Sequence, residues 1–350
     1  MSFAAKNMLV TGGAGFIGCN FVRHMLAHDR NVRVITLDLL TYAGSPDNLK
    51  DLPDASRHAF VQGDICNRGL IDALLREHKI DTIVHFAAES HVDNSISGPE
   101  IFVRTNVTGT FTLLDSAREF WLEEKNLDAR KCRFHHISTD EVYGALGKGD
   151  PAFSERTPYA PNSPYSASKA GSDHLARAYF HTYGLPVTTT NCSNNYGPFQ
   201  HSEKLIPTII RNCVNGAPIP VYGDGSNIRD WLYVEDHCRG IEAAIRRGRP
   251  GETYNLGGIN EWANIDIVKC ICALMDEFSA DGRHRSQIAR HDSLISFVAD
   301  RPGHDWRYAI DAAKAINELG WRPEETFESG IRKTVAWYLA RNLDSPAAFI

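Results

Sequence analysis

The sequence predicts an α/β fold: a doubly wound parallel sheet with a smaller, mainly C-terminal α/β substrate domain. Three observations predict it. Short apolar runs at 6–11, 32–37, 59–62, 82–86 and 134–137 alternate with longer helical stretches, the pattern of parallel strands joined by crossover helices. The first run enters a glycine-rich turn, Gly12-Gly13-Ala14-Gly15-Phe16-Ile17-Gly18, and continues into the helical-looking stretch 20–28. Several runs end in carboxylates or small residues, at the strand ends where ligands of open α/β sheets collect.

Strand, glycine turn and helix together form the setting of a dinucleotide fingerprint, here spaced G-x-x-G-x-x-G. Gly12 permits the tight turn, Gly15 lets backbone N–H groups approach a pyrophosphate, and Gly18 allows close packing of helix on strand. The second strand ends at Asp38, twenty residues beyond Gly18, where a carboxylate accepts from both ribose hydroxyls and repels a 2′-phosphate. NAD is therefore expected over NADP. The third strand runs into Gly63-Asp64-Ile65, and two readings of Asp64 stand side by side: a contact to the adenine amino group, or a helix N-cap. After the fourth strand, Ala87 and Ala88 leave room for a flat cofactor, and Thr105-Asn106-Val107 opens the next helix.

The fifth strand delivers Ser138-Thr139-Asp140-Glu141-Val142-Tyr143-Gly144 to its C-terminal end. Further on, Ser163-Pro164 reads as an N-cap with proline at the first helical position, which places Tyr165 and Lys169 one turn apart on one face. The ammonium is expected to lower the phenol's pKa from about 10, toward a general base for an alcohol. The Y-x-x-x-K spacing also recurs on surface helices, so its meaning comes from its company. Asp140 and Glu141 resist ionising together, which divides them into an acid and a base.

Beyond this helix, 187–190 reads as a sixth strand and 191–198 as its polar exit. Pro218, Pro220, Gly223 and Gly225 are expected to break any regular sheet. The runs 229–234 and 253–256 read as strands returning to the main sheet, followed by amphipathic helices at 265–277 and 327–342. The expected division is 1–195 with 229–262 for the cofactor, and 196–228 with 263–350 for the substrate.

A hydrophobic fraction of 43%, a charged fraction of 23% and a net charge of −6 describe a soluble globular chain. They argue against nucleic-acid and anionic-membrane partners. Neither a signal peptide nor a membrane span is evident, so the cytoplasm is the expected compartment. The eight cysteines show no metal-ligand spacing, and reduced core thiols are expected.

Taken together, these stretches resemble the extended short-chain dehydrogenase/reductase superfamily and, within it, the dTDP-glucose 4,6-dehydratases. The resemblance rests on Thr11 to Gly18, Asp38 to Gly44, Ala87 to Val92, Ser138 to Gly144, Tyr165 to Lys169, Ser193 to Pro198, Glu203 to Pro207, Val221 to Gly225, Arg229 to Asp236 and Asp300 to Asp305. It implies that dTDP-glucose becomes dTDP-4-keto-6-deoxyglucose by C4 oxidation, loss of water across C5 and C6, and hydride return to C6. In that scheme Tyr165 takes the C4 hydroxyl proton, Thr139 orients it, Glu141 removes the C5 proton, Asp140 protonates the leaving hydroxyl, and Lys169 also reaches the nicotinamide ribose.

By motif position the resemblance assigns NAD to Gly12, Gly15, Phe16, Ile17, Gly18, Asp38, Leu40, Thr41, Gly44, Asp64, Ile65, Phe86, Ala87, Ala88, Ser90, Thr105, Tyr165, Lys169 and Asn195. It assigns the nucleotide sugar to Ser90, Thr139, Asn194, Lys204, Leu205, Pro220, Tyr222, Arg229, Asn264, Arg301 and His304, with the two arginines on the diphosphate. A homodimer is implied as well. The rival readings are a UDP- or CDP-hexose dehydratase, a nucleotide-sugar 4-epimerase, and a binding module without catalysis; the Asp140-Glu141 pair weighs against an epimerase.

Overall fold

The computed structural model describes residues 3–282, 288–300 and 305–342. Its main sheet has seven strands in the order β10-β6-β5-β4-β1-β2-β3, all paired in parallel. In chain order the first of these are β1 (Asn7–Thr11), β2 (Arg33–Asp38), β3 (His58–Gln62) and β4 (Thr82–His85), then β5 (Arg133–Thr139) and β6 (Val187–Cys192). Helix α1 (Phe16–His28) follows β1, and α2 (Arg68–Glu77) follows β3. Then come α3 (Val92–Ser97), α4 (Pro99–Phe102), a π-wound stretch Val103–Gly109, α5 (Thr110–Arg118) and α6 (Pro164–Tyr183).

Side-chain alternation along the strands builds the layers. Met8 and Val10 of β1 enter a cluster with Phe21, Val22, Met25 and Ile241, whereas Leu9 enters another with Ile71, Leu75, Leu113 and Ala176. A two-residue period thus feeds both faces of one sheet. Each fully buried Leu or Ile adds about 1.5–3 kcal/mol of hydrophobic stabilisation. Strand order reverses between β4 and β1, so the loops after these two strands diverge and leave a crevice at their C-terminal ends.

The smaller lobe holds β7 (Asn194–Tyr196), α7 (Leu205–Asn215), β8 (Ile219–Tyr222), β9 (Ile228–Tyr233), β11 (Glu261–Ala263), α9 (Asn264–Ala280) and β12 (Ile295–Val298). Helix α8 (Val234–Arg247) and strand β10 (Thr253–Leu256) return to the main unit, and α10 (Ala313–Leu319) and α11 (Phe327–Asn342) close the chain.

Two sequence expectations change here. Only β10 rejoins the main sheet, beside β6; β9 pairs with β7 and β11 instead. The reason is connectivity, since α8 is the crossover and the strand after it takes the sheet edge. Nor do the prolines abolish sheet, because β8 pairs with β12 along Ile219–Tyr222. Among the described residues it has one partner strand, and an edge tolerates the missing N–H of Pro220. Among the described residues, no helix is long and apolar enough to cross a membrane.

Candidate active site

The glycine turn is shaped by close approaches. Gly12 adopts φ +70°, and a Cβ there would lie 2.6 Å from Ala87 N, so the β1 and β4 exits touch only because this residue has no side chain. A Cβ on Gly18 would sit 2.2 Å from Gly12 O. Gly15 is the N-cap of α1 and supplies no side-chain hydrogen bond, which leaves the first N–H groups of the helix available to an anion.

Asp38 organises the adjoining loop. Its Oδ2 accepts from Ala14 N at 2.9 Å and its Oδ1 from Leu40 N at 2.8 Å, and each oxygen retains a second lone pair. Burial pushes its carboxyl up, against the pull of these two N–H groups. Asp64 does not cap α2; Asn67 does, accepting from Leu70 N at 3.2 Å. Asp64 instead accepts from Cys66 N at 2.8 Å and from Arg104 Nη2 at 2.5 Å. Burial acts to raise it, but these donors outweigh burial and leave it below the usual carboxylate value.

The fingerprint continues into the chemistry. Helix α6 opens as its sequence dictates, with a reciprocal Ser163–Ser166 capping box and Pro164 in the first turn. Tyr165 and Lys169 are both buried. Thr139 accepts from Glu141 N at 3.3 Å and its hydroxyl hydrogen-bonds the Tyr165 phenol. Lys169 Nζ donates to Ile137 O at 2.7 Å.

Asp140 is 1% exposed and its Oδ2 has no partner. Burial, then Glu141 and Asp230, push its carboxyl well above the carboxylate range, with Arg229 opposing. These influences bias Asp140 toward its protonated, proton-donating form.

One electrostatic expectation is overturned. Burial and the neighbouring Glu141 raise the Tyr165 phenol well above 10 despite the Thr139 hydrogen bond. Lys169 is itself lowered by burial. The phenolate is therefore a minor form of the free protein, because two buried charges of one site are costly to separate from water.

A single cleft of about 480 Å³ gathers these residues. Of the positions singled out from sequence, it is lined by Gly12, Gly15, Phe16, Ile17, Gly18, Asp38, Thr41, Gly44, Asp64, Ile65, Phe86, Ala87, Ala88, Ser90, Thr105, Thr139, Asp140, Glu141, Tyr165, Lys169, Asn194, Asn195 and Lys204.

Leu40 turns through φ +59° and spends its N–H on Asp38; neither it nor Leu205 lines the cleft. Pro220 and Tyr222 lie on the exposed side of β8. Arg229 is buried over the Tyr308 ring at 4.5 Å, donating to Asp305 O at 2.9 Å and Ile228 O at 2.7 Å. Asn264 Oδ1 is buried and has no hydrogen-bond partner among the described residues. Arg301 and His304 lie outside the described residues.

Several contributors escaped the sequence reading. Asn106 does not open a helix but sits inside the π-wound stretch. It accepts from Glu89 N at 2.9 Å and donates to Glu89 O at 3.0 Å and Ser168 Oγ at 2.8 Å, tying the β4 exit to α6. Glu203 lines the cleft among His91 at 3.7 Å, His201 at 3.8 Å and Lys204 at 3.8 Å. Asp230, which biases Asp140, accepts from Gly258 N and Asn260 N at 2.8 and 2.7 Å. No spacing rule marks the contacts of Asn106 to Glu89 and Ser168, of Glu203 to His91, or of Asp230 to Gly258 and Asn260, which join separate segments.

Comparison with known proteins agrees with this geometry. The family model described as GDP-mannose 4,6 dehydratase matches residues 9–334. A dTDP-glucose 4,6-dehydratase of Neisseria meningitidis serogroup B is 55% identical over 334 residues, covering 95% of this chain and 93% of that protein. The chain belongs to the dTDP-glucose 4,6-dehydratase family. Among solved structures, dTDP-glucose 4,6-dehydratase from Bacillus anthracis in complex with NAD is similar at a TM-score of 0.85 and 44% identity, over 98% of this chain and 100% of that one. UDP-glucose 4-epimerase from Thermotoga maritima with UDP-glucose is also similar, at a TM-score of 0.82 and 25% identity, over 97% and 100% of the two chains. Family members and epimerases thus share this frame, and the residues of the site have to separate them.

Proposed function

We propose that this chain is an NAD-dependent dTDP-glucose 4,6-dehydratase, forming dTDP-4-keto-6-deoxyglucose and water. The observation that carries the reading is the buried Asp140, biased toward its protonated form, beside Glu141 in the same cleft as Tyr165 and Lys169. An epimerase has no use for an acid and a base there; elimination of water needs both.

The cleft fits NAD on three counts: the side-chain-free N-terminus of α1 for the pyrophosphate, the spare lone pairs of Asp38 for ribose, and the small Ala87 and Ala88 against a ring. When bound, NAD supplies the hydride acceptor at C4 and the donor at C6. The chain's own groups manage protons. Thr139 orients the C4 hydroxyl and Tyr165 takes its proton; generating the phenolate falls to Lys169, whose ammonium keeps two N–H groups beyond the one given to Ile137 O. The resulting C4 ketone acidifies C5, where Glu141 removes a proton, and Asp140 gives its own to the departing C6 hydroxyl; once C6 is reduced C5 is reprotonated, Tyr165 releases the proton it took, and Asp140 regains one from solvent.

Ser90, Asn194 and Lys204 would hold the sugar nucleotide from the cleft wall, and Arg229 the diphosphate from the small lobe. The same reading keeps two units but moves β7, β9 and β11, which form one sheet, from the expected 1–195 with 229–262 to the smaller lobe expected at 196–228 with 263–350; a cytoplasmic homodimer belongs to it as well. Support for the dimer comes from Ile96, Val103, Phe111 and Tyr183, large side chains left 64%, 54%, 44% and 51% exposed on α6 and on the helical segments that pack around it.

The test is turnover of dTDP-glucose against UDP-glucose, followed as alkali-detectable 4-keto sugar. Preference for dTDP-glucose is expected. Equal rates would remove the base assignment, and no product from either would remove the dehydratase.

A further inference from the structure

Tyr165, Lys169 and Asp173 recur every four residues on one buried face of α6. The first two belong to the cleft; the third does not line it. Its carboxylate is nonetheless fully engaged. Oδ1 is 2.9 Å from His136 Nε2, and Oδ2 accepts from Ser138 Oγ at 2.7 Å and Tyr159 Oη at 3.0 Å. Two of these partners sit on β5, just ahead of Thr139. Tyr159 in turn accepts from Asn191 Nδ2 on β6 at 3.2 Å.

We propose that Asp173 is a positioning residue for the dehydratase reaction: its buried negative charge keeps Lys169 an ammonium and pins α6 to the strand that delivers Thr139, Asp140 and Glu141. The inference rests on the function proposed above.

Lys169 spends a hydrogen bond on a neutral carbonyl, and burial drives it toward the uncharged amine; the largest opposing influence is Asp173. The two act through space rather than by contact. A carboxylate in this position offsets desolvation without occupying the donors that Lys169 needs for its ligand.

The groups facing Asp173 are consistent with an anion. They are Lys169 and His174 on α6, His136 on β5, Tyr159 before α6, and Tyr143 after β5. His136 is held neutral by burial and by Lys169, so it donates Nε2–H to the carboxylate and carries no competing charge. Burial raises Asp173 to about 6, with Lys169 and the Ser138 and Tyr159 hydrogen bonds holding it down. It is thus ionised at neutral pH and lost as a counter-charge below that value.

The experiment is the pH profile of kcat for 4-keto sugar formation by the NAD-loaded enzyme. Asp173→Asn keeps the shape and removes the charge. Lys169 then deprotonates at lower pH, so the alkaline limb moves down by about one unit and kcat falls about ten-fold at pH values on that limb, with the plateau below it little changed and KM within about two-fold. Asp173→Glu, which restores the charge, returns the limb.

Tyr159→Phe, remote from the cleft, removes a donor to the carboxylate. It raises the Asp173 pKa and moves the acid limb upward by about half a unit, and it decides the matter if Asp173→Asn does not fold. Unmoved limbs in the variants that fold, or loss of rate in Asp173→Asn and Asp173→Glu alike without a moved limb, would overturn the proposal. A wild-type protein inactive on dTDP-glucose and UDP-glucose would instead overturn the underlying function.

Discussion

In the proposed reading, the cofactor side of the cleft is laid down by successive strand exits of one sheet, from Thr11 to Ala88, whereas the sugar side is drawn from Thr139–Glu141, Asn194, Lys204 and, farther out, Arg229. On the cofactor side, backbone geometry does the selecting: glycines where a Cβ would collide, and a carboxylate steadied by two N–H groups. On the sugar side, charge does it. Asp140, Glu141 and Asp230 crowd one buried region with Arg229 in opposition. The first design tolerates little change of shape, and the second little change of charge.

The contrast is sharpest at Tyr165. Tyr165→Phe removes one oxygen and no packing, and is expected to lower kcat by about 10³-fold with C4 oxidation itself lost; single-turnover absorbance at 340 nm checks it. A near-normal rate would assign the proton to another base.

Asp140→Asn preserves shape and neutrality but cannot donate a carboxylic proton, so kcat should fall about 10²-fold. Its stability should move the other way. A carboxyl whose folded pKa is raised contributes stability below the unfolded value of 3.8, and that contribution is lost as pH rises toward the folded value. At neutral pH the wild type therefore carries a penalty that Asn removes, and Tm should rise by about 1–3 °C. A fall in Tm at pH 7, together with no change at pH 4, would contradict the neutral-acid assignment.

Glu141→Gln separates elimination from oxidation. Exchange of the C5 hydrogen with deuterated solvent should drop while C4 oxidation persists in part, as mass spectrometry of recovered nucleotide sugar will report.

The smallest effect belongs to the cofactor side. Asp38→Asn keeps the acceptor to Leu40 or Ala14 but loses the charge, and NAD affinity should weaken about ten-fold with kcat at saturation nearly unchanged. A large loss of kcat here would blur the division between shape and charge.

Legibility in the sequence follows the same division. Local rules suffice where a residue's partners are near in sequence: the glycine turn, the Ser163-Pro164 start of α6 and the β5 exit are read from spacing alone. They fail where partners come from afar. β9 looks like a sheet strand by composition, yet its neighbours are β7 and β11 because α8 carries the chain onward. Tyr165 and Lys169 are correctly placed on one face, but the sign of the phenol's shift depends on Glu141 and on burial, neither of which a four-residue interval encodes. The roles of Asp230 and Asn106 escape spacing for the same reason: their hydrogen bonds cross 28 residues to Gly258 and 17 to Glu89.

The π-wound stretch Val103–Gly109 has an evolutionary reading. A π turn holds one more residue than an α turn, with poorer backbone hydrogen bonding. Removing any single residue from it would let the helix rewind to regular geometry and rotate the Asn106 side chain by about 100°, away from Glu89. A one-residue deletion there should yield a protein that melts later and works worse. The wider turn is thus kept for the side chain it holds in place, even though a shorter helix would be the better helix.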